Sequence, residues 1–395
     1  MTNKDNRKRK LPSIGGQAVM EGVMMRNGEA TAIAIRKSEK VYSIKKYKIG
    51  KKANQKPWYK KWLFVRGVTN FVDIMKLGIT SLNDSVQMLG IEEEEPSKFE
   101  KWLAEKTGKD IMDIAMSLAI VLGIGFAVLL FIILPNLLTT WLGQNLNSSF
   151  VVNLLEGLVR ILIFAGYIVA ISQMKDIKRF FGFHGAEHKT INAFEAGKKL
   201  TVENVQSYTT KHPRCGTSFL VFIMLVSVIV FSLTGWEGQL WWQRILMRIA
   251  LLPVVASISY EILMGLANKN NLLVRILRWP GMQVQKLTTN EPDDGMVAAA
   301  IISALAVMDD DLFDEYAPDE FKHVSERYQE EEIEVLESVE TQEETDSSSA
   351  DDAKEEPCKK EYAIIDFEKE KAKEKINKQE TAKAEEINET KSAEK

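Results

Sequence analysis

Three of the four histidines in this chain stand in one stretch between two apolar segments. His184-Gly185-Ala186-Glu187-His188 comes first, and His212-Pro213-Arg214-Cys215-Gly216-Thr217-Ser218 opens the next apolar run. On a helix, His184 and His188 are one turn apart and leave the same face. The spacing H-x-x-E-H is that of the inverted zinc peptidases, in which the two histidines bind the ion and the glutamate activates water. A catalytic zinc takes three protein ligands and keeps one position open. Its water then ionises at a pH of about 7. His184 and His188 are therefore candidate ligands for zinc or another divalent metal, with Glu187 as candidate base. His212, Cys215 or Glu261 is the candidate third ligand. Glu261 lies inside a later apolar segment, where an unpaired ionisable group is expensive and marks a site by default. Otherwise its partner would be Arg214 or Lys175. Arg214 is suited to hold a phosphate or a developing negative charge. The competing reading is a structural polar cluster, with both histidines hydrogen-bonded to backbone or to Glu187 and Cys215 as a small buried residue. His323, in the polar tail, is assigned no role.

The segments around these residues dictate where they sit. Of 395 residues, 45% are hydrophobic, and the apolar ones are concentrated between about 111 and 310. A membrane-crossing helix needs about 20 mostly apolar residues. Four stretches qualify: Ile111–Leu134, ended by Pro135; Val151–Gln173, with Glu156 and Arg160; Thr217–Leu233; and Arg244–Ala267, with Arg248, Pro253 and Glu261. Glu156 and Arg160 are four apart and are expected to pair. Lysine and arginine crowd the N-terminal flank, the 174–216 connection and the C-terminal flank, whereas the connection at 136–150 has no charge. That bias predicts both termini and the histidine segment on the cytoplasmic side. Trp141, Trp236, Trp241 and Trp242 are then expected as an aromatic belt on the outer side. Two cysteines imply no disulfide framework, and no signal-peptide core opens the chain.

The remaining segments read as follows. Residues 1–12 form a basic arm. Residues 13–60 form a β-rich unit, with strands at Ala30–Arg36 and Val41–Ile49 and a turn plus a strand at Gly15–Arg26. Residues 61–90 carry helical apolar spacing too polar to span, which predicts an amphipathic helix at the membrane surface. Residues 111–267 make the four-helix membrane domain. Residues 268–308 contain shorter apolar helices, interfacial or packed, with Asp293 or Asp294 as a cap for the second. The 309–395 tail is acidic and lysine-rich with few aromatics, and reads as disordered. No phosphate-binding or dinucleotide-binding glycine loop is present. The basic N-terminus lacks a nucleic-acid fold signature and suits an anionic membrane surface instead.

Taken together, the words Gly15–Arg26 (GGQAVMEGVMMR), Arg66-Gly67, Phe183–Thr190 (FHGAEHKT), His212–Phe219 (HPRCGTSF), Ser259-Tyr260-Glu261 and Leu287–Pro292 (LTTNEP) resemble those of the bacterial YqhQ family. The resemblance covers about residues 13–308. It implies a multi-pass protein of the bacterial cytoplasmic membrane, described as a predicted metal-dependent enzyme without a known substrate. It also implies His184, Glu187, His188, His212, Arg214, Cys215 and Glu261 as site residues. Asp294-Gly295-Met296-Val297 departs from the acidic opening expected of the helix that follows. The expected fold is an all-α four-span bundle with a small β-rich unit and a disordered tail. The expected function is metal-dependent hydrolysis of a membrane-proximal substrate at the cytoplasmic face. The alternatives are a non-enzymatic assembly or regulatory factor with a membrane-protein partner, and a small oligomeric transporter.

Overall fold

Ala32-Ile33-Ala34-Ile35 is an unbroken apolar run, and a strand that reads this way is covered on both faces. The computed structural model describes residues 11–49, 62, 65–90, 106, 111–142, 148–233, 241–267, 271–322, 334–336 and 363–366. In it, β1 (Ile14–Val19), β2 (Gly22–Asn27), β3 (Ala30–Ser38) and β4 (Val41–Ile49) form an antiparallel meander. The expected turn plus strand at 15–26 is a full hairpin, with Glu21 at φ 53° in its two-residue turn. Such turns need left-handed backbone to match the twist of the strands. Two short segments, β5 (Glu334–Leu336) and β6 (Ala363–Asp366), pair with β4.

The helices follow in chain order: α1 (Val65–Leu89), α2 (Ile111–Val128), α3 (Leu134–Leu142), α4 (Ser149–Ile171), α5 (Lys175–Glu195), α6 (Val202–Gln206), α7 (Gly216–Leu233), α8 (Trp241–Ala267), α9 (Leu272–Thr288), α10 (Asp294–Ala306) and α11 (Asp310–Tyr316). One sheet face, with Ala32 and Ala34, packs on Phe183 and Ala186 of α5 and on α10. The opposite face, with Ile33, Ile35 and Tyr47, packs on Leu77 and Met88 of α1. Each fully buried isoleucine here contributes about 1.5–3 kcal/mol. Every residue from Met296 to Ala306 is buried, and Asp293 caps that helix by accepting the Met296 N–H at 2.8 Å. The sheet is thus the middle layer of a three-layer unit that contains the histidine helix.

Among the described residues, four helical stretches are long and apolar enough to cross a membrane: Ser117–Leu142, Phe150–Ile171, Gly216–Leu233 and Trp242–Leu266. The first differs from expectation, because Pro135 does not end it. A π-helical turn, Leu129–Ile133, precedes the proline, and α3 continues beyond it. Proline has no N–H for the carbonyl four residues back, which is that of Phe131. Arg160 Nε of α4 donates to that carbonyl at 2.8 Å instead. The expected Glu156–Arg160 pair is present at 2.9 Å, and Arg248 of α8 also reaches Glu156. Both guanidinium groups lie over the Phe231 ring.

Two other expectations change. Helix α1 does not simply lie flat on a surface. It is wedged between the sheet and α8, and it leaves Val72, Ile74, Met75, Ile79 and Leu82 exposed on its outer flank. The fold also continues past residue 308. Asp309 caps α11, and Leu312, Phe313, Tyr316 and Phe321 are buried. These few apolar residues recur at helical spacing, which an average over the acidic tail conceals. The 1–10 part of the basic arm, the lysines of 51–61, Trp236, His323, Cys358 and most of the tail lie outside the described residues.

Candidate metal centre

Helix α5 carries Asp176 in its first turn, where a negative charge suits the positive end of the helix dipole. Its centre is buried from Phe181 to Phe194 apart from His184, which is half-buried, and Asn192. Gly185 permits the closest approach: a Cβ there would stand 2.1 Å from the Asn290 carbonyl oxygen. Gly16 of β1 does the same beside Glu187, whose Cγ would be 3.0 Å from an added Cβ. Asn290 fastens this contact, donating its backbone N–H to the Phe181 carbonyl and its side-chain amide to the Lys178 carbonyl, both at 2.9 Å. The words FHGAEHKT, GGQAVMEG and LTTNEP therefore meet across one helix.

His184 donates Nδ1–H to the Thr288 carbonyl at 2.8 Å and brings Nε2 to 3.2 Å from Cys215 Sγ. His188 donates Nδ1–H to the Thr210 carbonyl at 2.5 Å. Its Nε2 is buried without a hydrogen-bond partner and lies 3.5 Å from Glu187 Oε2. A backbone acceptor on Nδ1 selects the tautomer whose Nε2 lone pair is open, the arrangement that orients histidines on metals. Cys215 stands just before α7, with Thr217 Oγ1 at 3.2 Å. The ligand atoms of His184, His188 and Cys215 all lie within 4.8 Å of one another. Neighbouring ligands on a tetrahedral zinc are about 3.5 Å apart, given bonds of roughly 2.0–2.3 Å, so the three need only small adjustments to share an ion.

Glu187 and His212 flank this trio. Burial pushes the Glu187 carboxyl above the usual carboxylate range, while His184, His212 and the Gly16 N–H pull it back. Burial also pushes the His212 imidazole below its ordinary value, against the pull of Glu187. The His212 ring centre is 5.8 Å from that of His188. Its Nδ1 accepts the Arg214 N–H at 3.4 Å, and its Nε2 points toward Glu195 at 3.6 Å. His212 is a neighbour of the trio and not a member of it. Gln285, fully buried on α9, holds it in place: Oε1 accepts the His212 N–H at 2.9 Å and Nε2 donates to the His212 carbonyl at 2.8 Å.

Two expected site residues are directed elsewhere. Arg214 pairs with Glu195 and reaches Ser13 Oγ at 3.3 Å. Glu261 makes a two-pronged ion pair with Arg66, at 2.7 and 2.5 Å. The cause is packing, since α8 rests mainly on α7 and α1. Asn70 reinforces that junction with a hydrogen bond to Tyr260 at 2.7 Å. Sequence reasoning missed Thr210, Thr288 and Gln285. The signal for Gln285 was present: Val274, Gly281 and Gln285 share one helical face, and polar side chains on a buried face need partners. Thr210 and Thr288 act through backbone carbonyls, which no side-chain pattern marks.

The pattern of the family described as protein of unknown function DUF1385 matches residues 62–310. The chain is 35% identical over 297 residues to a Bacillus subtilis protein described as uncharacterized protein YqhQ, an alignment covering 74% of this chain and 91% of that one. No solved structure matches.

Proposed function

The chain belongs to the DUF1385 family, and from that premise we propose that His184, His188 and Cys215 hold a zinc-type divalent ion for hydrolysis of a membrane-proximal substrate. One observation carries the reading: two imidazole Nε2 lone pairs and a thiol converge within 4.8 Å while both Nδ1–H groups are bound to backbone carbonyls. Three protein ligands leave a tetrahedral ion one open position. When bound, such an ion acts as a Lewis acid and eases the ionisation of water near neutral pH.

The protein's own groups supply the rest. Glu187 is the proton acceptor. The water oxygen bonds to the acyl or phosphoryl centre, Glu187 takes the proton, and the same carboxyl returns a proton to the departing oxygen or nitrogen. Charge balance also favours an ion here. A buried carboxylate among neutral groups is costly, whereas a divalent cation on one thiolate carries a net positive charge that offsets it. Burial of His212 disfavours a competing positive charge there. Cys215 immediately precedes a candidate span, which supports a substrate at the membrane surface. The lysine and arginine bias supports the cytoplasmic side.

The test is metal content of the purified protein by elemental mass spectrometry. One ion per wild-type chain is expected. Glu187→Gln should retain that ion and lose the cellular phenotype of the wild type. Wild-type protein purified without chelators and free of stoichiometric metal would overturn the reading, leaving the His184–Cys215 contact as a structural hydrogen bond.

A further inference from the structure

An apolar cavity of about 140 Å³ lies between α4, α7 and α9. Phe164 and Ile168 form one wall, Val221 and Met224 another, and Val284 and Leu287 the third, with no charged or hydrogen-bonding side chain among the lining residues. Two of its walls are candidate membrane spans. Leu225 and Leu287, at its rim, are more than one-third exposed. The cavity is therefore open to whatever surrounds the spans. A cavity of roughly 150 Å³ lined by Leu, Ile and Phe stays dry and accepts a benzene-sized hydrocarbon. This one thus matches a short stretch of a lipid chain and does not suit water.

Its position relative to the histidines is the second observation. Val284 and Leu287 each precede by one residue a group that builds the centre: Gln285, which holds His212, and Thr288, whose carbonyl accepts from His184. On α7, Val221 is one turn, about 6 Å, beyond Thr217, whose hydroxyl contacts Cys215 Sγ. Near this end Lys175, Lys178 and Lys286 are exposed, with Asp176 as an exposed acid among them, a net cationic set suited to an anionic headgroup.

We infer that this cavity seats the apolar chain of an anionic membrane lipid, and that the substrate of the His184/His188/Cys215 centre is lipid-linked, presented sideways from the bilayer. The substrate half rests on the proposed metal-dependent reading, and the lipid-seat half stands without it. The chain fills the groove between α4, α7 and α9, and the headgroup emerges one helical turn away, beside the centre.

The experiment uses the full-length protein in vesicles containing phosphatidylglycerol with a diazirine on its acyl chain. Irradiation and peptide mapping locate the adducts, and metal content is measured on the same samples. Adducts concentrated on Phe164–Ile168, Val221–Leu225 and Val284–Leu287 are expected, and unlabelled phosphatidylglycerol should suppress them. Ala165→Phe, which fills the cavity, should reduce those adducts several-fold with bound metal unchanged. Saturable labelling in protein that lacks metal would keep the lipid seat and refute the metal reading with its lipid-linked substrate. Equal labelling of the outward residues Leu158 and Leu162, without saturation, would show ordinary contact with the bilayer around an empty packing cavity and would overturn the inference. The wild-type adduct map decides this even if Ala165→Phe fails to fold.

Discussion

Two of the buried polar clusters among the described residues behave oppositely. Glu156, Arg160 and Arg248 lie among the candidate spans, and their charges face one another, a free carbonyl and an aromatic ring. His184, His188 and Cys215 lie at the end of a candidate span, where backbone hydrogen bonds to the two histidines turn their Nε2 atoms toward the thiol. The first cluster spends its polar capacity on itself, as a structural tie between helices must. The second keeps capacity in reserve, as the proposed ion site requires.

Substitutions can break or sharpen this contrast. The largest effect is expected from His188→Ala or Cys215→Ser, which should reduce bound metal from one ion per chain to background in elemental analysis while the protein still purifies as a folded species. Next comes Glu156→Leu. It removes the carboxylate shared by two buried guanidinium groups, and losing one partner of a buried ion pair costs about 3–5 kcal/mol. Thermal unfolding in detergent should register that loss, with bound metal in the surviving folded fraction unchanged. An unaltered melting temperature would show that the Glu156 cluster is not a structural tie. Gln285→Ala is intermediate. It leaves the His212 N–H and carbonyl without their buried partner, which costs about 1–3 kcal/mol each, so thermal unfolding should register a smaller loss than for Glu156→Leu while the ion of the trio stays bound. The smallest effect is expected at Glu261→Gln. Its Arg66 pair is partly exposed, with side-chain exposures of 18% and 41%, and exposed pairs contribute little to stability. Metal content should remain at the wild-type level. A loss there would restore Glu261 to the ligand set.

Much of this was legible from spacing alone. Four apolar stretches of sufficient length, the strands at 30–36 and 41–49, and the Glu156–Arg160 pair all follow from periods of 3.6 and 2. So does the shared face of His184 and His188. Those features are local, governed by residues within a turn or two of one another. The histidine tautomers were not legible, because they depend on carbonyls of Thr210 and Thr288, remote in sequence. Nor was the fate of Pro135, since the carbonyl it strands is rescued by an arginine from another helix. The buried helix α11 was hidden by averaging over an acidic tail.

The amino-acid order by itself determined which segments are apolar enough to leave water and which groups near them can ligate or accept a proton. Only the tertiary structure decided which of those groups meet. It brought Cys215 to the histidines and sent Glu261 to Arg66, because the direction of a side chain depends on which neighbour its helix packs against. That choice was made by close approaches such as Gly185 against Asn290 and by the three-layer packing around the sheet, where contacts more than a hundred residues apart outweigh local preference.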